Sequence, residues 1–264
     1  MSNPFRAFLA TPRTVWVTGA SSGIGRELAL QLAQAGHRVV ISARSTAALQ
    51  DVAAQYPQQL LVLDFDATDD KACVAAGERL AALAPVLDLA ILNAGTCEYL
   101  DDGAIDLALV RRVMAANFDG TLQAAALALP LLAKSAIPAL YVVSSQVTAL
   151  PLTRSGAYGA SKAALEYFFR CLRIDRQHTG LRVGILRPGF VRTPLTDRND
   201  FSMPFLWSAG QAAAHMLAAI DRGRKELTFP HSLQAVLGLF AALPHSLWAR
   251  LAQRMRKPAP ETAP

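Results

Sequence analysis

A tyrosine and a lysine lie one helical turn apart in the stretch Ala157–Lys162. On a helix, an i,i+4 spacing puts the side chains of Tyr158 and Lys162 on one face. A phenol has a pKa of about 10, so work as a base near pH 7 needs a shift worth about 4 kcal/mol. A lysine cation about 4 Å away supplies an interaction of that order. The pair therefore predicts a phenol that takes or gives a proton.

Two serines come before this pair, at the end of a predicted core strand. Ser144 and Ser145 follow the apolar run Leu140–Val143. Open α/β sheets bind their ligands at the carboxyl ends of the strands. A serine hydroxyl there could hold a substrate oxygen as its charge changes. Together with the phenol, these groups suit hydride transfer between a carbonyl carbon and an alcohol carbon.

A glycine-rich turn follows the first predicted strand. Gly19, Gly23 and Gly25 have the spacing G-x-x-x-G-x-G and stand just before a predicted helix over residues 26–35. Glycines permit a tight turn and let the backbone approach a pyrophosphate, whose charge the free amides of the helix start can bind. The turn therefore predicts a dinucleotide site.

An arginine follows the second predicted strand, at the position where an acid would select NAD(H). The strand ends at Ser42, Arg44 comes two residues later, and the first acid is Asp51. A guanidinium suits a 2′-phosphate, whereas a carboxylate suits a free 2′-hydroxyl. This pattern predicts NADP(H) as the cofactor.

Short apolar runs alternate with longer helical stretches along most of the chain. The runs begin at Val15, Arg38, Leu60, Leu87, Leu140, Leu181 and Leu227. This alternation is typical of βαβ units and of a parallel sheet that is buried on both faces. We expect an α/β fold of the doubly wound Rossmann type. Residues 1–264 would form a single domain, with a core over about 14–230 and a C-terminal helical extension over about 231–257.

With these motifs in this order, the sequence resembles the short-chain dehydrogenase/reductase family from about Thr14 to Pro230. The resemblance is carried by residues 18–25, residues 93–95, Asn117, Ser145, Tyr158, Lys162 and residues 188–193. Ser145 stands thirteen residues before Tyr158, as is usual in the family, and this selects Ser145 over Ser144. The resemblance also implies about seven strands in the order 3-2-1-4-5-6-7.

The resemblance implies a role for each site residue. Tyr158 would be the general acid in reduction and the base in oxidation, Ser145 would polarise the carbonyl, and Lys162 would lower the pKa of Tyr158 and hold the nicotinamide ribose. Asn117 would hold a water, Asp66 would contact the adenine edge, and Thr193 would contact the carboxamide. The implied catalytic residues are Asn117, Ser145, Tyr158 and Lys162. The implied cofactor-binding residues are Gly19, Ser21, Ser22, Gly23, Ile24, Gly25, Arg44, Asp66, Asn93, Ala94, Gly95, Tyr158, Lys162, Pro188, Gly189 and Thr193.

Composition excludes several classes of protein. Hydrophobic residues make up 52% and charged residues 17%, which excludes a disordered chain or a coiled coil. Three cysteines, an odd number, do not form a disulfide framework, so we expect a reducing, cytoplasmic location. Five scattered histidines predict no metal site. The N-terminal residues are expected to be loosely held.

The net charge of +6 is concentrated at the end of the chain. Residues 222–264 hold seven cations and two acids, so a basic docking face for nucleic acid is not expected. Leu233, Val236, Leu237 and Phe240 form an apolar stripe that must be buried. It could pack on the cleft, on a second subunit or on a bilayer surface. We expect a homo-oligomer, with a dimer favoured over the usual family tetramer, and keep peripheral membrane contact as an alternative role of the extension.

The substrate would be a small carbonyl or alcohol compound. The segment from Phe190 to Gly210 is rich in aromatic residues, which suggests a bulky apolar substrate, although ordinary packing of a lid explains it nearly as well. Two alternatives to an oxidoreductase are a non-catalytic NADP(H)-binding regulator or scaffold, and an epimerase or dehydratase. The first would not need Ser145, Tyr158 and Lys162 together, and the second usually needs a larger substrate domain.

Overall fold

Seven parallel strands form the central sheet of the protein. A computed structural model describes residues 7–100 and 104–253. The strands are β1 (Thr14–Thr18), β2 (Arg38–Ser42), β3 (Leu60–Val62), β4 (Leu89–Leu92), β5 (Ala139–Val143), β6 (Arg182–Pro188), β7 (Val191–Arg192), β8 (Trp207–Ser208) and β9 (Glu226–Phe229). The sheet has the order β3-β2-β1-β4-β5-β6-β9, while the two-residue strands β7 and β8 pair with each other. The predicted order is confirmed, with β9 as the seventh strand of the sheet.

Helices cover both faces of this sheet. They are α1 (Gly23–Gln34), α2 (Thr46–Ala53), α3 (Asp70–Leu83), α4 (Leu107–Met114), α5 (Gly120–Leu132), α6 (Gly156–Asp175), α7 (Ala209–Asp221), α8 (His231–Ala241) and α9 (His245–Gln253). A π-helical turn over Ala115–Asp119 joins α4 to α5.

The apolar runs form strands because both of their faces are buried. Every residue of β4, β5 and β6 is buried. In β1, Val15 and Val17 pack into the core that contains α1 and α7, while Trp16 points into the opposite core with α5 and α6. This alternation follows from the two-residue repeat of a strand. A doubly wound fold requires this two-sided burial.

The order of the strands creates a crevice between β1 and β4. Strand β1 pairs with β2 on one side and with β4 on the other, so successive connections cross in opposite directions from this point. Ligands of open α/β sheets bind outside the carboxyl ends of the strands at such a point. The predicted site residues follow those ends.

The N-terminal residues that the structure describes are held more firmly than expected. Residues Phe8–Ala10 form a 3-10 turn in which Phe8 is buried in the core. The amide of Leu9 donates to Asp221 at 2.8 Å, and the guanidinium of Arg13 lies 5.1 Å from the centre of the Phe8 ring. The expectation of a loose arm was therefore wrong for residues 7–13, because one aromatic side chain anchors them.

The C-terminal extension is helical, as its apolar stripe indicates. It consists of α8 and α9, and its predicted last residues, Arg254 to Lys257, lie outside the described residues. Among the described residues no single helix is long and apolar enough to cross a membrane. The pair α8 and α9 would pass by length and composition alone, but it is bent by 118°.

Candidate active site

A cleft of about 870 Å³ opens at the carboxyl ends of the central strands. It contains most of the residues that the sequence singles out. Those that line it are Gly19, Ser21, Ser22, Gly23, Ile24, Arg44, Asp66, Asn93, Ala94, Gly95, Ser145, Tyr158, Lys162, Pro188, Gly189 and Thr193. The other two, Gly25 and Asn117, are buried behind its wall.

The glycine turn is held in place by the end of β4. Gly19 has a φ of 66°, in the left-handed region that favours glycine. The side-chain amide of Asn93 donates to the carbonyl oxygens of Thr18 and Gly19, each at 3.2 Å. At Gly25 a Cβ atom would overlap the carbonyl oxygen of Gly19. Gly25 therefore allows close packing of helix against turn, and Asn93 fixes the shape of the turn.

The start of α1 faces the cleft with free backbone amides. Within the part of the chain that the structure describes, no side chain caps the first turn of α1 at Ser22. By contrast, Ser45, Asp69 and Asp106 cap α2, α3 and α4. Uncapped amides at a helix start bind anions, and a pyrophosphate fits this chemistry.

Arg44 and Asp66 lie at the other end of this side of the cleft. Arg44 is exposed at the end of β2, and both residues line the cleft. Burial raises the pKa of Asp66, but hydrogen bonds from Thr68 and the charge of Arg44 outweigh this effect and hold the pKa below its ordinary value. Asp66 is therefore an anion at neutral pH, close to the guanidinium that is proposed for a phosphate.

The catalytic candidates meet on the opposite wall. Burial raises the pKa of Tyr158, and a hydrogen bond with the side chain of Ser145 acts in the opposite direction. The Lys162 ammonium donates to the carbonyl oxygen of Val143 at 3.0 Å and lies 5.9 Å from the centre of the Tyr158 ring. Burial lowers the pKa of Lys162 to about 8. The pKa of Tyr158 thus lies above its ordinary value, and Lys162, from which a lowering was expected, is not among the groups that shift it.

The two neighbouring serines, Ser144 and Ser145, have different hydrogen-bond partners. The hydroxyl of Ser144, which also lines the cleft, donates to the buried Glu166 Oε1 at 2.7 Å. The hydroxyl of Ser145 instead accepts from the amide of Val147 at 3.2 Å and is bonded to Tyr158. The environment agrees with the choice of Ser145, because the hydroxyl of Ser144 is committed to a buried carboxylate.

A buried ion pair supports this wall, and the sequence analysis missed it. Arg187 on β6 contacts both carboxylate oxygens of Glu166 on α6, from Nε to Oε1 at 2.7 Å and from the second guanidinium nitrogen to Oε2 at 2.8 Å. Burial raises the pKa of Glu166, but hydrogen bonds from Arg187, Ser144 and Thr148 outweigh it and hold the pKa below its ordinary value. In the sequence, Glu166 could have been noticed only by its i,i+4 spacing from Lys162, which places both side chains on one face of the helix.

Asn117 lies in the π-helical turn and ties two parts of the site together. Its side-chain amide donates to the carbonyl oxygen of Thr96 and to the hydroxyl of Ser161, both at 2.9 Å, and its Oδ1 accepts from the amide of Thr96 at 2.7 Å. Ser161 stands between Tyr158 and Lys162 on α6. Asn117 thus links the loop after β4 to α6, and its catalytic role as a holder of water stays a prediction.

Comparison with known sequences shows the family to which the chain belongs. The sequence profile described as short chain dehydrogenase matches residues 13–202. The chain belongs to the short-chain dehydrogenase family. This dehydrogenase is 36% identical over 247 residues to an uncharacterized oxidoreductase of Myxococcus xanthus, covering 92% of this chain and 98% of that one. It is 26% identical over 267 residues to dehydrogenase/reductase SDR family member 7B of Mus musculus, covering 92% and 81%.

Solved structures agree with this assignment. A short-chain dehydrogenase of Shigella flexneri complexed with NADP matches with a TM-score of 0.75 at 28% identity, over 82% of this chain and 95% of that chain. A 3-ketoacyl-(acyl-carrier-protein) reductase of Brucella melitensis complexed with NADH shares the fold, with a TM-score of 0.75 at 21% identity, over 82% and 95%.

On the substrate side of the dehydrogenase, an aromatic side chain joins the loop after β4 to the segment after β7. The hydroxyl of Tyr99 donates to Asn199 Oδ1 at 2.9 Å, and its ring lies edge-on to Phe201 with the ring centres 5.7 Å apart. The guanidinium carbon of Arg154 lies over the Tyr99 ring, 5.3 Å from its centre. Arg154 also forms an ion pair with Asp200 at 2.9 Å. These contacts hold residues 199–201 against the loop that follows Gly95.

The C-terminal helices brace the loop between Ser145 and Tyr158. The side-chain amide of Gln146 donates to the carbonyl oxygens of Phe229 and Pro230, at 2.6 and 3.3 Å. The indole N–H of Trp248 on α9 donates to the carbonyl oxygen of Pro151 at 3.0 Å, and its ring packs in a small apolar cluster with Leu150. Leu237 and Phe240 of the apolar stripe pack against the same cluster, so the protein's own loop after Ser145 covers part of the stripe.

Metal ligands and cysteine thiols are the other groups that could take part in chemistry. Among residues 7–100 and 104–253, no group of three or more histidine, cysteine or acidic side chains is arranged to hold a metal. The three cysteines are free thiols. Cys97 is near the catalytic residues, and burial raises its pKa, so its thiol is protonated at neutral pH.

Proposed function

We propose that this dehydrogenase transfers a hydride between the nicotinamide of NADP(H) and the carbonyl or secondary alcohol carbon of an apolar small molecule. The observation that supports it most is the meeting of Ser145, Tyr158 and Lys162 in one cleft with the uncapped start of α1. A hydroxyl pair beside a cation suits a carbonyl oxygen, and the free amides suit a pyrophosphate.

The side chains would handle the substrate oxygen and its proton. Bound NADPH would supply the hydride. Ser145 would donate a hydrogen bond to the carbonyl oxygen, and Tyr158 would give its proton to that oxygen as negative charge develops on it. Lys162 would stabilise the phenolate that remains. In oxidation the same phenolate would accept the proton from the alcohol.

The preference for NADP(H) is proposed on the side chain of Arg44. Its guanidinium is exposed at the mouth of the cleft, beyond the end of β2, where it could pair with a 2′-phosphate. The cleft volume of about 870 Å³ falls within the range of ligand sites, about 300–1,000 Å³. The residues present therefore fit the cofactor. The relative from Shigella flexneri, which was solved with NADP, supports the same choice by likeness.

The proposal of an apolar substrate depends on the aromatic residues around Tyr158. The rings of Phe190 and Phe201 pack edge to face with their centres 6.0 Å apart, and Phe201 contacts Tyr99. These rings would offer apolar contact to a substrate, next to the cation of Arg154 on the Tyr99 ring. We expect bulky ketones or aldehydes to be better substrates than small polar ones.

The test is turnover with both cofactors. NADPH oxidation is measured with a panel of aliphatic, aromatic and sugar carbonyls, in parallel with NADH. We expect turnover of apolar carbonyls and a preference for NADPH. Tight NADPH binding without turnover of any carbonyl or alcohol would favour the alternative of a regulator or scaffold.

We further propose a homo-oligomer, with a dimer favoured, in the cytoplasm. Tyr167 and Ile174, two helical turns apart on α6, are 74% and 71% exposed. Arg170 and Asp175 accompany them, so this face carries both signs of charge and could pair with a second copy. The three free thiols fit a reducing compartment. Light scattering should give a dimer, and Tyr167→Glu should shift it towards the monomer.

A further inference from the structure

The helices α8 and α9 each bury one face and expose another. Leu233, Trp248 and Ala252 are buried against the body of the protein. On the outer faces Leu239 is 69% exposed, and Val236 and Leu247 are also exposed. Covering these side chains would be favourable, because apolar surface would leave water. The inner contacts therefore leave part of the apolar surface of this segment exposed.

The positive charge of this segment limits the kinds of partner that could cover the outer faces of α8 and α9. Residues 231–264 hold Arg250, Arg254, Arg256 and Lys257 against one acid, Glu261. Arg250 is exposed on α9, three residues after the exposed Leu247. Arg254, Arg256 and Lys257 follow it in the sequence, outside the described residues. An exposed apolar surface beside Arg250, in a segment whose sequence is net positive, suits a partner that is both apolar and anionic.

A second copy of the chain does not meet this requirement. In a symmetric dimer the same patch lies on both subunits, so cations of one copy would face cations of the other. The outer face of α6 differs, because Arg170 and Asp175 accompany its exposed apolar side chains. Self-association is therefore better served by α6 than by α8 and α9.

We propose that the outer faces of α8 and α9 form a docking surface for anionic lipid bilayers. Leu239 and Leu247 would enter the boundary between headgroups and acyl chains, and Arg250 would pair with lipid phosphates. α8 has 11 residues and is about 16 Å long, against about 30 Å for the hydrocarbon core. With a bend of 118° between the helices, the segment suits contact with one membrane surface.

Vesicle co-sedimentation of the full chain tests this proposal. The vesicles are phosphatidylcholine with and without phosphatidylglycerol. We expect binding only to the anionic vesicles, weakened at 1 M salt, where the Debye length is about 3 Å. Leu239→Glu and Leu247→Glu should each lower the partition coefficient about tenfold, because each loses apolar contact and adds a like charge. Arg250→Gln should lower it by a smaller factor.

The matched control is Val74→Glu. Val74 lies on α3, is 68% exposed and undergoes the same change of charge, but it lies outside α8 and α9. It should bind vesicles like the wild type. Circular dichroism and NADPH binding of all variants check that the fold is kept. Because the readout is lipid binding, failure of the proposed catalytic function would leave this test unaffected.

Three outcomes would overturn the proposal. The full chain could stay in the supernatant with anionic vesicles. It could bind neutral vesicles equally well, or Val74→Glu could lose binding as much as Leu239→Glu. If Leu239→Glu instead changed the oligomeric state of the protein in solution, the outer faces would be an interface between copies.

Discussion

The two walls of the cleft are built in different ways. The cofactor wall consists of the glycine turn, the start of α1 and the ends of β2 and β4. Its shape is set by backbone conformation and by the short-range contacts of Asn93 with Thr18 and Gly19. The substrate wall carries Ser145 and Tyr158, and behind them lie the loop after Ser145, residues 199–201 and the C-terminal helices. It is held by side chains that are far apart in sequence, such as Tyr99 with Asn199 and Trp248 with Pro151.

This difference separates binding of a common cofactor from selection of a particular substrate. A backbone cradle for a pyrophosphate depends little on side chains, so it tolerates changes of sequence. A wall of side-chain contacts can change with few substitutions, without disturbing the sheet. Variants on the cofactor wall should therefore change KM for NADPH, whereas variants on the substrate wall should change KM for the carbonyl compound.

Tyr158 lies where the two walls meet, and its loss should have the largest effect. Tyr158→Phe keeps the ring and its packing but removes the transferable proton. We expect NADPH binding to remain, measured by quenching of protein fluorescence, while kcat falls by more than tenfold. Tyr99→Phe, the same change on the substrate wall, should keep most of the turnover. If Tyr158→Phe kept more than a tenth of the wild-type kcat, its catalytic role would be wrong.

A variant of the cofactor wall should come second in size. Arg44→Ala removes the cation proposed for the 2′-phosphate, a charged contact worth about 1.5–3 kcal/mol. KM for NADPH should rise about tenfold or more, while KM for NADH and for the carbonyl compound should change little. Steady-state kinetics with both cofactors measure this. Equal use of NADPH and NADH by the wild type would contradict the proposed preference.

Much of the cofactor wall and of the sheet was predictable from the sequence. The predicted strand over residues 38–42 agrees with β2, and the predicted Val15 start lies one residue inside β1. These strands are continuous apolar runs because both of their faces are buried, so burial leaves a clear pattern. The glycine turn is equally visible, because Gly19 needs a left-handed backbone and Gly25 has no space for a Cβ atom.

The substrate wall was not predictable in the same way. A buried pair such as Glu166 and Arg187 looks like a solvated helix face until β6 is placed beside α6. The apolar stripe on α8 showed that burial was required, but the contact of Trp248 with Pro151 depends on the turn after α8. Long-range side-chain contacts leave no periodic signal, so only the three-dimensional structure reveals them.

Glu166 gives a pH-dependent test of the support behind the catalytic residues. The pKa of Lys162 is about 8, so its cation is lost as the pH rises through that value, and kcat/KM for NADPH should fall above about pH 8. The Glu166 carboxylate raises the pKa of Lys162. Glu166→Gln should therefore lower this pKa and move the alkaline fall to lower pH, by about one unit.

Glu226→Gln is the matched control for this shift. Glu226 also pairs with Arg187, at 2.8 Å, and undergoes the same change from carboxylate to amide. It belongs to the same network of charges but is not among the causes of the Lys162 shift. Its pH profile should match that of the wild type. An equal displacement in both variants would mean that the network acts through general loss of structure.

The smallest expected effect comes from the brace between α9 and the catalytic loop. Trp248→Phe removes the indole N–H that donates to Pro151, a hydrogen bond worth about 1 kcal/mol. Because the loop between Ser145 and Tyr158 loses one support, KM for the carbonyl compound should rise a few-fold, while KM for NADPH stays the same.

Trp16→Phe is the counterpart on the cofactor side, where the indole donates to Ser42 at 2.7 Å. It should lower the melting temperature and leave KM for the carbonyl compound unchanged. If Trp248→Phe raised both KM values equally, the brace would support the whole cleft, and the separation of the two walls would be wrong at this point.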